Sequence, residues 1–114
     1  MYQYRVLDIL RVLDGDTIDS RIDLGFGLQA NLRFRVAGVD CPELNTPEGK
    51  VARDFTAAWL TWEPGTPCPF VIHTFKGAQS ALGIGDGAFG RWLGAVFRNG
   101  ASLAFDLTQA GHTK

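Results

Sequence analysis

Apolar and polar residues alternate along the first third of the chain as they do in β-strands. The clearest alternation lies in residues 28–39, with Leu28, Ala30, Leu32, Phe34 and Val36 on one face and Gln29, Asn31, Arg33 and Arg35 on the other. This period of two predicts a long antiparallel strand with one solvent-facing side. Residues 4–13, rich in Val, Ile and Leu, predict a first strand, and the alternation in residues 17–24 predicts a second, with turns at Asp14-Gly15-Asp16 and Gly25-Phe26-Gly27.

A helix is predicted to follow these strands. Pro42 interrupts strand pairing, so residues 40–45 are expected to form a loop. Thr46 suits the N-cap, Pro47 the first helical position and Glu48 the first turn. An apolar stripe then recurs at spacings of four and three residues, at Val51, Phe55, Trp59 and Trp62. The pair Pro64-Gly65 is expected to end the helix.

The remaining pattern predicts two more strands and a short terminal helix. The strands are expected at residues 70–75 and 88–97, separated by a glycine-rich loop over residues 76–87, and the helix at residues 101–110 after an Asn99-Gly100 turn. No repeat or linker interrupts the chain, so residues 1–114 are expected to form one domain. Three strands, a helix and two strands indicate a mainly β, α+β fold: a five-stranded OB-fold barrel with a helix between strands 3 and 4. A generic α+β domain has the same elements.

Composition is that of a globular domain, with 46% hydrophobic and 20% charged residues. The net charge of −1 means that any nucleic-acid contact would need locally clustered arginines. The two cysteines, Cys41 and Cys68, indicate neither a zinc site nor a disulfide. No stretch is long enough for a membrane span, so no membrane partner is expected. No signal peptide is visible, which makes the cytoplasm the default location, although a removed leader would leave the same trace.

Three short motifs carry the chemistry. They are Leu13-Asp14-Gly15-Asp16-Thr17, then Phe34-Arg35-Val36-Ala37-Gly38-Val39-Asp40-Cys41-Pro42-Glu43, then Phe89-Gly90-Arg91. Together, in this order and at these separations, they resemble the motifs of the staphylococcal nuclease (thermonuclease) family. The resemblance extends from the first strand to the start of the last helix. It implies a calcium-dependent nuclease on an OB-fold barrel.

The first two motifs place acids where two strand ends can meet. Water attack on a phosphodiester builds negative charge on oxygens that are already anionic, so cations and a base are needed. Asp16 follows the first turn and Asp40 ends the third strand, so an antiparallel sheet can bring both carboxylates to one hard cation. The resemblance implies the same pair as ligands of one Ca²⁺, with the main-chain carbonyl of Cys41. It also implies Asp14 as an acid lying behind these ligands.

The other motif residues have expected roles in cleavage. Glu43, three residues beyond Asp40, is the candidate general base. Arg35 and Arg91 are expected to grip the phosphate, since a guanidinium forks onto two oxygens. Phe89 matches a tyrosine of the family as a substrate-stacking ring. The resemblance implies cleavage of DNA, RNA or both that leaves 3′-phosphate ends, and no base-reading element indicates sequence specificity.

Other interpretations remain open at the level of sequence. Two tyrosines that cradle the nucleotide near the end of family members have no counterpart here, and Ala88 stands where the family has a lysine. The chain is therefore also compatible with a catalytically weak or inactive module that binds nucleic acid or protein. A component of a larger assembly, of viral or mobile-element origin, is a second alternative. The oligomeric state is not indicated.

Overall fold

A computed structural model describes residues 2–74 and 91–114, with the main chain alone described at Tyr2 and Arg91. The elements in chain order are β1 (Tyr2–Asp14), β2 (Thr17–Gly25), β3 (Leu28–Val36), α1 (Pro47–Trp59), β4 (Phe70–Thr74), β5 (Arg91–Arg98), β6 (Ala101–Ser102) and α2 (Leu103–Gln109). The predicted loop over residues 76–87 and the start of the predicted fifth strand, residues 88–90, lie outside the described residues. Within the described ranges, neither helix has the length and apolar character needed to cross a membrane.

The strands form one sheet that closes into a barrel. Neighbouring strands follow the order β3-β2-β1-β4-β5-β6, and every pairing in this series is antiparallel. A parallel pairing between β3 and β5, with Arg35 opposite Leu93, joins the two sides of the sheet. The five longer strands therefore make a closed mixed barrel, and the two-residue β6 extends its edge. The predicted mainly β fold of OB type, with helices, is confirmed.

The barrel interior is filled by apolar side chains from every long strand. The largest fully buried side chains include Phe34, Phe70, Ile18, Ile22 and Ile72. Gly94 on β5 lies where the barrel closes, because it pairs with both Val36 and Thr74. A Cβ at Gly94 would lie 2.8 Å from Ile72 Cγ2 and 3.1 Å from Phe34 Cδ1. A residue without a side chain is thus needed for this close approach.

The helix differs from its predicted extent and its predicted buried face. It ends at Trp59, so Trp62 lies beyond it, and Val51 of the predicted stripe is 53% exposed. The buried positions are instead Gly49, Ala52 and Thr56. Small residues on this face let the helix axis approach the barrel closely. This close packing, rather than the position of the larger apolar side chains, sets which face of the helix is buried. Phe55 and Trp59 pack at the margin of the core.

Two tryptophans, Trp59 and Trp62, pack against the same core ring. The ring of Trp59 stacks on Phe70 with 5.8 Å between centroids, and Trp62 meets Phe70 edge-on at 5.7 Å. The indole N–H of Trp59 donates to Asp106 on α2 over 2.7 Å. Arg98 donates to the main-chain carbonyls of Trp59 and Thr61, at 3.2 and 2.7 Å, and so satisfies the C-terminal end of α1.

Two elements are shorter than predicted. Strand β3 ends at Val36 rather than at residue 39, because the chain turns at Gly38 with a φ of 87°. The terminal helix begins at Leu103, since Ala101 and Ser102 first pair with β5. The Ser102 hydroxyl then accepts the N–H of Phe105 and caps the helix. Both differences lie at element ends, where local hydrogen bonds decide the boundary.

Candidate functional site

The β1–β2 turn meets a segment distant in sequence at one end of the barrel: the end of β3 together with the loop that follows it, residues 37–46. The N–H of Val36 donates to the main-chain carbonyl of Asp16 over 2.7 Å. The N–H of Cys41 donates to the Asp16 carboxylate at Oδ2 over 3.0 Å. Asp16 therefore holds the turn against both β3 and the loop that follows it.

Two carboxylates contact the same arginine at this end of the barrel. Nη2 of Arg35 lies 3.4 Å from Asp40 Oδ1 and 3.9 Å from Asp16 Oδ2. The side chain of Asp16 is 9% exposed and that of Asp40 is 62% exposed, so one acid is sheltered and the other open. We call Asp16, Arg35 and Asp40 the carboxylate–arginine cluster. Its guanidinium offsets negative charge that the two acids bring together.

Cys41 lies beneath this cluster, and its thiol is buried. Burial, followed by the negative charges of Asp16 and Asp40, raises the pKa of Cys41 to about 11. The charge of Asp14 acts in the same direction with a smaller effect. The thiol is therefore protonated near neutral pH, which argues against Cys41 as a nucleophile.

Glu43 is fixed through its main chain while its side chain is exposed. Its carbonyl accepts the N–H of Thr46 over 3.0 Å and the hydroxyl of Thr46 over 2.7 Å. The same hydroxyl accepts the N–H of Gly49 over 3.0 Å and caps α1. Among the described residues, none forms a hydrogen bond or ion pair with the Glu43 carboxylate. The loop is thus anchored to α1, and the carboxylate is left open to solvent.

The remaining predicted site residues lie around this arrangement. Asp14, at the end of β1, is half-buried and pairs with Thr17 at the start of β2. The main chain of Arg91 pairs with Arg33, which places Arg91 at the β3–β5 junction. Phe89 lies outside the described residues. Within residues 2–74 and 91–114, no three His, Cys, Asp or Glu side chains gather closely enough to hold a metal ion by themselves.

A close contact between the β1–β2 turn and α1 supports the cluster from below. The hydroxyl of Thr56 donates to the main-chain carbonyl of Gly15 over 2.7 Å. A Cβ at Gly15 would lie 3.0 Å from both Ala52 Cβ and Cys41 Sγ. Sequence reasoning assigned Gly15 to a hairpin turn and gave Thr56 no role. The signal for this contact was the pair of small residues, Ala52 and Thr56, one turn apart on the helix.

The C-terminal segment also reaches the site, which sequence reasoning missed. The N–H of Lys114 donates to the main-chain carbonyl of Asp40 over 2.8 Å. Nζ of Lys114 lies 3.9 Å from Asp40 Oδ2. No spacing or motif signals this contact, since it depends on how the chain turns after α2.

The sequence was also compared with known proteins. Neither the protein-family models nor the curated proteins give a significant match. The resemblance to staphylococcal nuclease therefore rests on the three motifs.

Proposed function

We propose that this protein is a calcium-dependent nuclease of the staphylococcal nuclease type, which hydrolyses phosphodiester bonds of DNA, RNA or both. The observation that carries the proposal is the carboxylate–arginine cluster, in which Asp16 and Asp40 both lie within 4 Å of Arg35 Nη2. The β1–β2 turn supplies one acid, and the end of β3 with its following loop supplies the arginine and the second acid. These are the groups that a hard cation and a phosphate need together.

The donor set suits a hard divalent cation. Asp16, Asp40 and the main-chain carbonyl of Cys41 would hold the ion, and all three offer oxygen. Calcium takes about six to eight oxygen ligands, so substrate phosphate and water would supply the others. When bound, the ion supplies positive charge beside the phosphoryl oxygens.

The protein's own residues then divide the remaining work. Arg35, 27% exposed at the cluster, forks onto the phosphate and offsets the charge that develops in the transition state. Glu43 takes a proton from the attacking water, a role that an exposed carboxylate with no partner among the described residues can fill. Arg91 and Phe89, the third motif, are proposed to contact the phosphate and stack on the nucleotide. The leaving group is the 5′-oxygen, so the products carry 3′-phosphates.

Digestion of defined substrates tests this proposal. Single-stranded DNA and RNA are incubated with the protein in calcium and, separately, in excess chelator, and the product ends are identified. Calcium-dependent fragments with 3′-phosphate ends are the expected result. Binding of the substrates without any calcium-dependent cleavage would contradict the proposal and indicate a binding module of the same fold.

A further inference from the structure

The chain turns back toward the site after α2. The N–H of Gly111 donates to Thr108 O over 3.1 Å and that of His112 to Leu107 O over 3.0 Å, while Gly111 adopts a φ of 78°. A left-handed glycine with two such bonds ends a helix and reverses the chain direction. The ring of His112 then packs on Phe55 of α1, with 4.8 Å between centroids. These contacts direct the last residues across α1 to the loop that carries Asp40.

Lys114 consequently has a defined position at the carboxylate–arginine cluster. Its N–H donates to the carbonyl of Asp40 over 2.8 Å, which fixes the main chain. Its ammonium lies 3.9 Å from Asp40 Oδ2, on the carboxylate whose Oδ1 faces Arg35. Within the described ranges, Arg35 and Lys114 are the cationic side chains that contact the acids of the cluster. Two positive groups thus flank one exposed acid.

The ion pair itself contributes little to stability. The side chains of Lys114 and Asp40 are 52% and 62% exposed, and ion pairs between exposed side chains contribute little to stability because water and salt screen them. The ammonium can therefore leave the carboxylate for another anion at little cost. Two of the other described arginines are paired away from the cluster: Arg33 with Asp19, and Arg53 with Asp54. Among the described residues, Lys114 is the exposed lysine whose ammonium lies within 4 Å of an acid of the cluster.

We propose that Lys114 binds a phosphate adjacent to the scissile one, so that the site prefers a polynucleotide strand over an isolated phosphodiester. This inference rests on the proposed function, because it takes Arg35 as the residue that grips the scissile phosphate. A lysine acts as a flexible point charge, which suits a neighbouring phosphate whose position varies with strand conformation. Lys114 is thus a substrate-binding residue that sets the preferred substrate class.

Binding measurements separate this role from catalysis. The affinity of a single-stranded DNA octamer is measured by fluorescence anisotropy between 50 and 200 mM salt, in chelator, for the unaltered protein, Lys114→Gln, Lys114→Arg and Arg5→Gln. Lys114→Gln keeps the main-chain N–H and removes the charge. Arg5→Gln is the control, because it removes one positive charge at an exposed position. Arg5 pairs with Asp23, which lies six residues along β2 from Thr17. Arg5 is therefore about 20 Å from the β1–β2 turn that carries Asp16.

The expected result is specific to Lys114. Lys114→Gln weakens octamer binding about threefold or more at low salt. It also reduces the magnitude of the slope of log affinity against log salt concentration by about 0.7, which is the value for one phosphate contact on a single strand. Lys114→Arg restores the slope, and Arg5→Gln leaves it unchanged. A dinucleoside monophosphate, which has no neighbouring phosphate, binds the unaltered protein and Lys114→Gln equally.

An unchanged salt slope in Lys114→Gln would overturn the inference, and so would an equal loss of affinity for the octamer and the dinucleoside monophosphate. Failure of the unaltered protein to bind the octamer overturns it as well. The proposed function fails separately, since absence of calcium-dependent cleavage leaves the binding comparison intact. Conversely, cleavage together with an unchanged slope overturns the role of Lys114 alone.

Discussion

The carboxylate of Asp16 accepts a hydrogen bond from the main-chain N–H of Cys41, with 3.0 Å between Oδ2 and N. This bond joins the β1–β2 turn to the loop that carries Asp40 and Glu43. The other carboxylate oxygen, Oδ1, accepts the hydroxyl of Thr17 over 3.3 Å. Asp16 thus organises the site through its hydrogen bonds and contributes to it through its charge. The two contributions are separable by substitution.

Asp16→Asn is expected to keep the fold and lose activity. Asparagine retains an oxygen that accepts the N–H of Cys41, but it removes the negative charge needed beside a cation, so the calcium-dependent rate should fall about 10- to 100-fold or more. Asp16→Ala should also lower the free energy of unfolding by about 1–3 kcal/mol, because it leaves a buried N–H unpaired. Cleavage rates and urea unfolding measure the two effects. A wild-type rate in Asp16→Asn would contradict the assignment.

Arg35→Lys is expected to slow cleavage, whereas Arg33→Lys should not. Arg33 lies two residues away on the same strand face, and it bonds Asp19 across β2 and β3 with Nε to Oδ1 at 2.7 Å and Nη2 to Oδ2 at 3.1 Å. These hydrogen bonds raise the pKa of Arg33. Replacing Arg35 removes the fork onto phosphate and should cost about 100-fold in rate. Equal rates for the two variants would show that Arg35 has no special role.

Gly49→Ala tests the anchoring of Glu43. A Cβ at Gly49 would overlap the main-chain carbonyl of Glu43, so the loop must move. We expect a loss of about 1–3 kcal/mol in the free energy of unfolding together with slower cleavage. Val51→Ala, two residues later at a 53% exposed position, is the control and should change stability by less than about 0.5 kcal/mol. A Gly49→Ala protein of normal stability and rate would mean that the loop position is unimportant.

The protein is expected to lose stability at alkaline pH in part through Cys41. Its folded-state pKa is raised from 9.0 to about 11, so the unfolded thiol ionises first as the pH increases. The contribution is complete below pH 9.0 and is lost between that pH and about 11. Burial also raises the pKa of Cys68, which acts in the same direction. Unfolding followed from pH 8 to pH 11 should show a shallower decline in Cys41→Thr, which should otherwise cleave normally.

An identical pH dependence in Cys41→Thr and in the unaltered protein would contradict this account of Cys41. A complete loss of cleavage in the variant at neutral pH would show instead that the sulfur takes part in the reaction.

The barrel could be predicted from the sequence because the patterns that indicate strands, turns and helix starts are local and repeated. Alternation along residues 28–36 reports burial on one side of a strand, and Phe34 and Val36 are indeed buried. The Asp-Gly turn and the Thr46-Pro47 helix start use residue types that favour turns and helix N-termini. Both were confirmed, with Gly15 and Asp16 in the turn and Thr46 as the N-cap.

The features that the sequence did not reveal depend on contacts between distant elements. Val51 appeared to belong to the buried face of α1, but Ala52 and Thr56 are buried because Gly15 permits close approach. Lys114 reaches Asp40 through a chain reversal at Gly111, which no period or spacing encodes. Motif spacing suggested that Asp16 and Asp40 meet, and the structure places both beside Arg35. Their proposed chemistry still rests on the resemblance.

The most direct test of the proposed activity compares Glu43→Gln with Glu63→Gln. The two glutamates are exposed and share a local turn, since the carbonyl of each accepts the N–H and the hydroxyl of a threonine three residues later. Glu63 lies beyond the opposite end of α1, about 20 Å from Glu43. Glutamine at either position keeps the shape of the side chain and removes the carboxylate.

The measurement is the rate of single-stranded DNA cleavage in calcium, with thermal unfolding as a check on the fold. The account predicts that Glu43→Gln cleaves about 100- to 10,000-fold more slowly than the unaltered protein at the same melting temperature. Glu63→Gln should cleave at the unaltered rate. A Glu43→Gln protein that cleaves as fast as Glu63→Gln would contradict the general-base role, and calcium-independent rates in all three proteins would contradict the proposed site as a whole.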